Sequence, residues 1–396
     1  MLYIGIDVGK FSHSLCRLSG DGENKMIWQI TNDRFGFEKL KEQLKDINRE
    51  EILIGMEATG HYFLNLYEYL LQLGFSVDRI ALLNPLQVKS FRNTNLRGAK
   101  SDNVDAERIA SLLRFGDFDR CNVTIDSLMN LRELTRLKAD LVAISSDLKR
   151  KIIAVLDRIF PEFAVIFSNR FGTTVITLLT DYPTPEELAE LSLEKLTRVI
   201  KGLSKRGISK KKIEQLHVAA KNSIGISFGK EAFKIELDIL LARLKVFQEQ
   251  TDFLESKITE LVQEFHSPIF SIPGIGQSTG AAIISEIGNI NNFSSAIKLI
   301  AFAGLDPKLK ESGTYQGRTP ISKRGSKYLR NALWYSAMVT CRVEPTFKKE
   351  YKERREKGRS HRYAVTAAAN KLTKVVYHIL KNNCLFDSSK LTTKLA

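Results

Sequence analysis

Residues 2–8 read LYIGIDV and residues 52–60 read ILIGMEATG. Each is a short apolar run rich in residues that favour strands, and each reads as a buried strand. Each also carries an acid where a buried strand should be apolar, Asp7 in the first and Glu57 in the second. A carboxylate in such a place is costly unless it is paired or holds a metal. Working outward, HSLCRL (13–18) and MIWQI (26–30) fit an antiparallel meander with the first strand. Helical patterns follow at 35–47 and 61–73, and VDRIALL (77–83) is strand-like. The order βββ-α-β-α-β and then a helix predicts an α/β domain with a mixed sheet.

The final helix of that series is KSDNVDAERIASLL (100–113). Asp102 and Asp105 are three residues apart, so a helix presents both on one face, and Ser101 or Asp102 suits its cap. Four carboxylates from two strands and one helix suit hard divalent cations, which take oxygen ligands. Two Mg2+ ions roughly 3.5–4 Å apart stabilise both the attacking and the leaving oxygen of a phosphoryl transfer. Without metal, carboxylates so placed repel and some take up protons. Two other readings compete. Asp7 with Gly5 and Gly9 also fits the D-x-G loop of an actin-like or sugar-kinase fold, but no second D-x-G strand or adenosine-binding stretch follows. Asp102 and Asp105 also fit plain acids favoured by a helix dipole. No Walker-type phosphate loop is present.

The chain has 396 residues, enough for more than one domain, and its 43% hydrophobic content is globular. The net charge of +15 favours a polyanionic partner, of which nucleic acid is the commonest. Cys16, Cys121, Cys341 and Cys384 lie far apart with no CxxC pair, so neither a zinc site nor a disulfide framework is expected. The N-terminus reaches charged residues too soon for a signal peptide, and no apolar run approaches membrane-spanning length, so a cytoplasmic protein with no membrane partner is expected.

From about residue 127 the periodicity changes. Leu134, Leu137, Leu141, Ile144 and Leu148 recur at steps of three and four, and the run resumes after a stutter at Ile152, Val155 and Ile159. Leu237, Leu240, Leu244, Phe247, Thr251, Leu254, Ile258, Leu261 and Phe265 keep the same spacing. This is the pattern of a coiled coil or a long helical hairpin, and pairing within one chain and between chains are equally open. Between the runs, DYPTPEEL reads as a proline-bounded helix start and KRGISKKK (205–212) as a basic turn.

SIPGIGQSTGAAIISEIG (271–288) has the P-G-I-G core of a helix-hairpin-helix. Gly274 and Gly276 would let backbone amides approach a phosphate at a helix start. In FAGLDPKLKESGTYQGRTPISKRGSKYLR (302–330), Ser312 precedes a glycine and is followed by Arg318, Lys323, Arg324, Lys327 and Arg330. Those cations suit a phosphate on which charge develops. Locally, a lone Ser-Gly reads as a turn. A basic run (348–362) and a last helix (364–380) complete the chain.

IGIDVGK, GMEATG and KSDNVDAERIA resemble the RuvC-like DEDD domain of a bacterial transposase family, insertion sequence 110/1111, related to a pilin-gene invertase. The resemblance extends to the C-terminus, where G-L-x-P, S-G and I-S-K-x-G-x-x-x-L-R all occur. It implies an N-terminal RuvC/RNase H-like domain (1–125), long coiled-coil helices (126–265) and a mainly helical transposase domain (266–396). It implies metal ligation by Asp7, Glu57, Asp102 and Asp105, and a nucleophilic Ser312; Tyr315 competes because a phenol could do the same chemistry, and Ser278 and Ser322 are weaker candidates. It further implies DNA as substrate, a structured guide RNA, a homodimer or homotetramer, and active sites shared between protomers. The main alternative is a RuvC-type nuclease or Holliday junction resolvase in which Ser312 is structural. A non-catalytic scaffold stands behind it.

Overall fold

The computed structural model describes residues 1–57, 61–83, 88, 91, 102–118, 120–121, 126–167, 169–203, 208–308, 311–312, 315–316 and 320–391. Of residues 120, 121, 126, 311, 312, 315 and 316 it describes the backbone alone. The turn after Glu57, Ser101, the basic pair Lys205 and Arg206, and Arg318 lie outside the described residues. The chain divides into two compact units, Met1–Thr124 and Ile125–Ala396.

In the first unit, β1 (Leu2–Val8), β2 (Ser12–Ser19) and β3 (Lys25–Thr31) form the expected antiparallel meander. Helix α1 (Arg34–Leu44) follows, capped by Asp33, whose carboxylate accepts from the Gly36 amide. Then come β4 (Ile52–Glu57), α2 (Phe63–Gln72), β5 (Ile80–Leu83), α3 (Asp102–Phe115) and the two-residue β6 (Arg120–Cys121). Among the described residues the six strands form one sheet in the order β3-β2-β1-β4-β5-β6. Strands β4 and β5 run parallel to β1, the others antiparallel to their neighbours. VDRIALL divides: Val77–Arg79 is a 3-10 turn and only Ile80–Leu83 is strand.

The sheet is covered on both faces. Ile4, Ile6, Leu15 and Ile54 pack with Leu40 of α1 and Leu66 and Leu70 of α2. On the other face, Leu53 and Leu83 meet Ile109 and Leu113 of α3, while Cys16 and Leu18 meet Ala106 and Ala110. Burial on both faces is why β1 and β4 read as continuous apolar runs rather than alternating ones.

The second unit is almost wholly helical. Its frame is a pair of long helices, α4 (Asp126–Ile159) and α10 (Lys230–Val262). Between them lie α5 (Phe163–Ile166), α6 (Thr173–Asp181), α7 (Pro185–Ala189), α8 (Leu193–Leu203) and α9 (Lys210–Lys221). The proline-bounded start is a full capping box, with Thr184 and Glu187 satisfying each other's backbone amides and Pro185 in the first turn. After α10 come α11 (Gln277–Ile287), α12 (Ala296–Ala303), a hairpin of β7 (Glu311–Ser312) and β8 (Tyr315–Gln316), then α13 (Lys327–Val343), α14 (Pro345–Glu356) and α15 (His361–Asn382).

The long helices are antiparallel within the chain. Leu148, Ile152 and Val155 late in α4 pack with Leu237, Leu240 and Leu244 early in α10. Leu131 early in α4 packs with Leu254, Ile258 and Val262 late in α10. Each end of the pair anchors its own core. One holds α5 to α9, the other α11 to α15. The seam is not sealed along its length, for Leu137 and Ile144 are 49% and 43% exposed.

Candidate functional site

Asp7 and Glu57 each stand two residues after a glycine, and Gly5 and Gly55 are register partners on β1 and β4. A Cβ on Gly5 would lie 2.2 Å from the Ala106 carbonyl oxygen and 2.2 Å from the Ala110 amide nitrogen. A Cβ on Gly55 would meet the Leu113 side chain at 2.7 Å. Both glycines therefore face α3, and their bareness lets the helix lie directly on the sheet. Strand side chains alternate, so Asp7 and Glu57 belong to the same α3-covered face. The last parallel pair is Ile6 with Met56, so each acid is the next residue on its strand. The two carboxylates thus occupy equivalent positions on adjacent strands, both half-buried.

Helix α3 brings the other two acids in its first turn. Asp102 is exposed. Asp105 is partly buried and accepts from Arg108 Nη1 at 2.7 Å, with Arg108 itself buried. Sequence reasoning missed the neighbours of this group. Ser14 is the register partner of Asp7, and Gln29 that of Ser14. Gln29 Nε2 donates to Ser14 Oγ at 3.0 Å and to Asn103 Oδ1 at 3.4 Å. A polar row therefore runs from Asp7 across two strands to the first turn of α3. The alternating polar positions Ser12 and Ser14 of SHSLC (12–16) were the signal for it.

The carboxylate donors suit an oxygen-preferring divalent cation, and two already stand side by side. Among the described residues, however, no three His, Cys, Asp or Glu side chains are drawn together into a metal-holding group. In this conformation Arg108 engages Asp105. Cys16, on β2 of the same sheet, is buried, and burial pushes its thiol up to about 11.

In the second unit Ser312 lies on a small hairpin whose base is well tied. Pro307 bridges Ile321, the Lys308 amide donates to the Pro320 carbonyl, and the Ser322 amide donates to the Asp306 carbonyl. Glu311 pairs with Gln316, and Ser312 is the register partner of Tyr315. The two competing nucleophiles are thus register partners on the paired strands. The weaker candidates are already engaged: Ser278 Oγ accepts from Lys138 Nζ at 2.7 Å, and Ser322 Oγ donates to Asp306 Oδ1.

The basic residues after the hairpin separate into two kinds. Lys323 and Arg324 are exposed in a tight turn, where Lys323 takes φ +54 and Gly325 φ +100. Lys327 is exposed and pairs with Asp140 at 3.4 Å. Arg330 instead holds the turn together, its Nη1 donating to the Ala303 carbonyl at 3.0 Å. The glycines of P-G-I-G also differ. Gly274 has φ +97, and a Cβ there would lie 2.5 Å from Thr340 Oγ1 on α13. Packing accounts for Gly274, whereas the Cβ position of Gly276, at the start of α11, meets nothing within 4 Å.

No described helix is long and apolar enough to cross a membrane. Two family models match the chain. Residues 4–161 match a DEDD transposase model of the IS110 type, and residues 266–352 match the transposase family IS116/IS110/IS902. An insertion element IS116 protein of 44.8 kDa from Streptomyces clavuligerus is 25% identical over all of this chain and 98% of its own length. A mini-circle putative transposase for IS117 from Streptomyces coelicolor is 24% identical over 98% of this chain and 96% of its own. A pilin gene-inverting protein from Moraxella bovis is 32% identical over 31% of this chain and 38% of its own. With both stretches matched and relatives aligned from end to end, the chain belongs to the IS110/IS116 family of transposases and is a DNA-processing enzyme.

Proposed function

We propose that the protein exchanges DNA strands through a phosphoserine intermediate, with Asp7, Glu57, Asp102 and Asp105 holding divalent metal, Mg2+ by donor type. The observation that supports this reading is that Asp7 and Glu57 hold equivalent positions on adjacent strands, on the face covered by α3, whose first turn carries Asp102 and Asp105. The Ser312 hydroxyl attacks a DNA phosphorus, and its proton passes to the departing 3′ oxygen. That leaves one DNA end esterified to serine and the other as a free 3′-hydroxyl. A 3′-hydroxyl of another strand then attacks the phosphoserine and returns the proton to Ser312. One ester replaces another at each step, so no nucleotide triphosphate is consumed. Bound metal would supply charge stabilisation for the phosphoryl group. Lys323, Arg324 and Lys327, with Arg318 and the Gly276 turn, would hold the DNA backbone.

Two partners complete the reading. A structured RNA that selects the DNA suits the net charge of +15. A homo-oligomer suits an exposed line on α10, where Ile235, Ile239, Val246 and Phe253 are 48–63% exposed. Apolar residues spaced so regularly on an open helix face suit a second helix.

Ser312→Ala tests the chemistry. The variant should form no covalent protein–DNA adduct and complete no strand exchange, while still binding DNA. Full recombination without Ser312 returns the assignment to a metal-dependent nuclease or junction resolvase, and an adduct mapped to Tyr315 transfers the nucleophile across the hairpin.

A further inference from the structure

The basic run at 348–362 is not used by either site, and the fold gives it an unexpected neighbour. It forms α14 and the turn into α15. Gly358 takes φ +74 in that turn, Arg355 Nη1 donates to the Arg359 carbonyl at 2.7 Å, and Ser360 caps α15. Between Pro345 and Tyr363 eight Lys and Arg stand against three Glu. One of those, Glu350, is already taken by Arg354 and Lys371. Lys348, Lys349, Lys352, Arg355, Arg359 and Arg362 are exposed.

A continuous series of rings borders this charge. Trp334 on α13 lies 5.4 Å from the Tyr335 ring and 6.3 Å from the His361 ring, edge-on to both. His361 lies 5.7 Å from the Tyr351 ring, and its Nδ1 is 2.8 Å from the Tyr351 hydroxyl. Arg359 sits over the Tyr363 ring at 5.2 Å. Tyr335 and Tyr363 are 53% and 52% exposed, far more than packing requires of tyrosine.

We propose that this α13–α14–α15 surface binds unpaired nucleotides, with bases stacking on Tyr335, His361 and Tyr363 and phosphates held by Arg355, Arg359 and Arg362. Exposed rings beside cations are what single strands require, because every base offers a π-face and every link a charge. A duplex buries its base faces and would use the cations alone. The shared chemistry admits single-stranded RNA or DNA. None of these residues belongs to the carboxylate or serine sites, so this inference stands or falls apart from the strand-exchange reading.

The full-length protein is titrated in EDTA with fluorescent 20-mers of oligo-U and oligo-dT and with a 20-bp duplex, so that no cleavage or exchange enters. Tyr335→Ala with Tyr363→Ala should weaken single-strand binding by roughly tenfold or more and leave duplex binding within about twofold. The matching Phe pair should restore it, because stacking needs the ring and not the hydroxyl. Arg355→Gln with Arg359→Gln should weaken both ligands and flatten the salt dependence. Loss confined to oligo-U assigns the surface to RNA, loss confined to oligo-dT assigns it to DNA, and loss of both assigns it to either strand. Unchanged single-strand affinity in the Ala pair, or an equal loss for duplex, overturns the proposal. Melting curves of each variant must superimpose on the parent, and the Phe pair keeps the test decisive where the Ala pair does not.

Discussion

Gly5 lies so close beneath Ala106 that a Cβ on the glycine would sit 2.2 Å from the Ala106 carbonyl oxygen. The contact is with helix backbone, which a neighbouring side chain cannot relieve. Gly5→Ala should therefore force α3 off the sheet and cost about 3 kcal/mol or more, at the upper end for overpacked cores. Adding Ala106→Gly should not restore stability. Denaturant unfolding of the single and double variants checks both statements, and recovery in the double variant would refute the backbone origin of the clash.

The same contact seats α3, whose first turn carries Asp102 and Asp105, on the face of the sheet that holds Asp7 and Glu57. Asp7→Asn with Asp102→Asn should abolish strand exchange while leaving the sheet folded. In the parent, millimolar Mg2+ should raise the melting midpoint, since a ligand that binds only the folded state stabilises it. The rise should shrink or vanish in the double variant. Undiminished exchange with both acids neutralised would remove the carboxylates from the chemistry.

Much of this was legible in the sequence because it obeys local rules. The acids at the ends of β1 and β4, the meander, the proline-bounded helix start in DYPTPEEL and the long helices all appear where the pattern puts them. The neighbours of the acids were not legible. Ser14 and Gln29 meet Asp7 only through strand register, and register follows from pairing over distance. Arg108 looked like an ordinary helix cation until its burial showed it engaged with Asp105. Helix α14 was hidden because its sequence is almost all charge and buries little beyond Phe347. The glycines of P-G-I-G carry a second constraint that the sequence does not display. Gly274 matched a phosphate-binding pattern, yet a close approach to Thr340 already explains it.

His13 predicts an acid sensitivity of the first unit. It is fully buried on β2 beside the Phe37 ring, and burial holds its pKa below the ordinary value of 6.5. Between the folded and unfolded pKa the unfolded chain binds the extra proton, so stability rises with pH across that window. Stability is therefore intact above about pH 6.5 and is lost as pH falls toward the folded value, by at most about 1.4 kcal/mol per pH unit. His13→Leu should remove this component. Denaturant midpoints at pH 5 and pH 7.5 should differ less in the variant than in the parent, and an equal difference would exonerate His13.

Glu286 gives the sharpest prediction for the second unit. Its side chain is 2% exposed on α11, where one carboxylate ties three elements together. Arg136 of α4 donates through Nε at 2.5 Å and Nη2 at 3.2 Å, and Ser326 Oγ donates at 2.6 Å. Ser326 in turn accepts from the Leu329 amide and caps α13, the helix that follows the basic turn. Removing the acid leaves the half-buried Arg136 guanidinium with only its long 3.8 Å contact to Glu133, and the cap without its anchor. Glu286→Ala should cost about 3–5 kcal/mol, the range for breaking a buried pair from one side. Ser326→Ala should cost about 1 kcal/mol through the cap. The double variant should cost less than the sum, because the two residues share a hydrogen bond and are coupled. Strict additivity in the unfolding free energies would show that Glu286 braces α4 alone and does not position the basic turn that precedes α13.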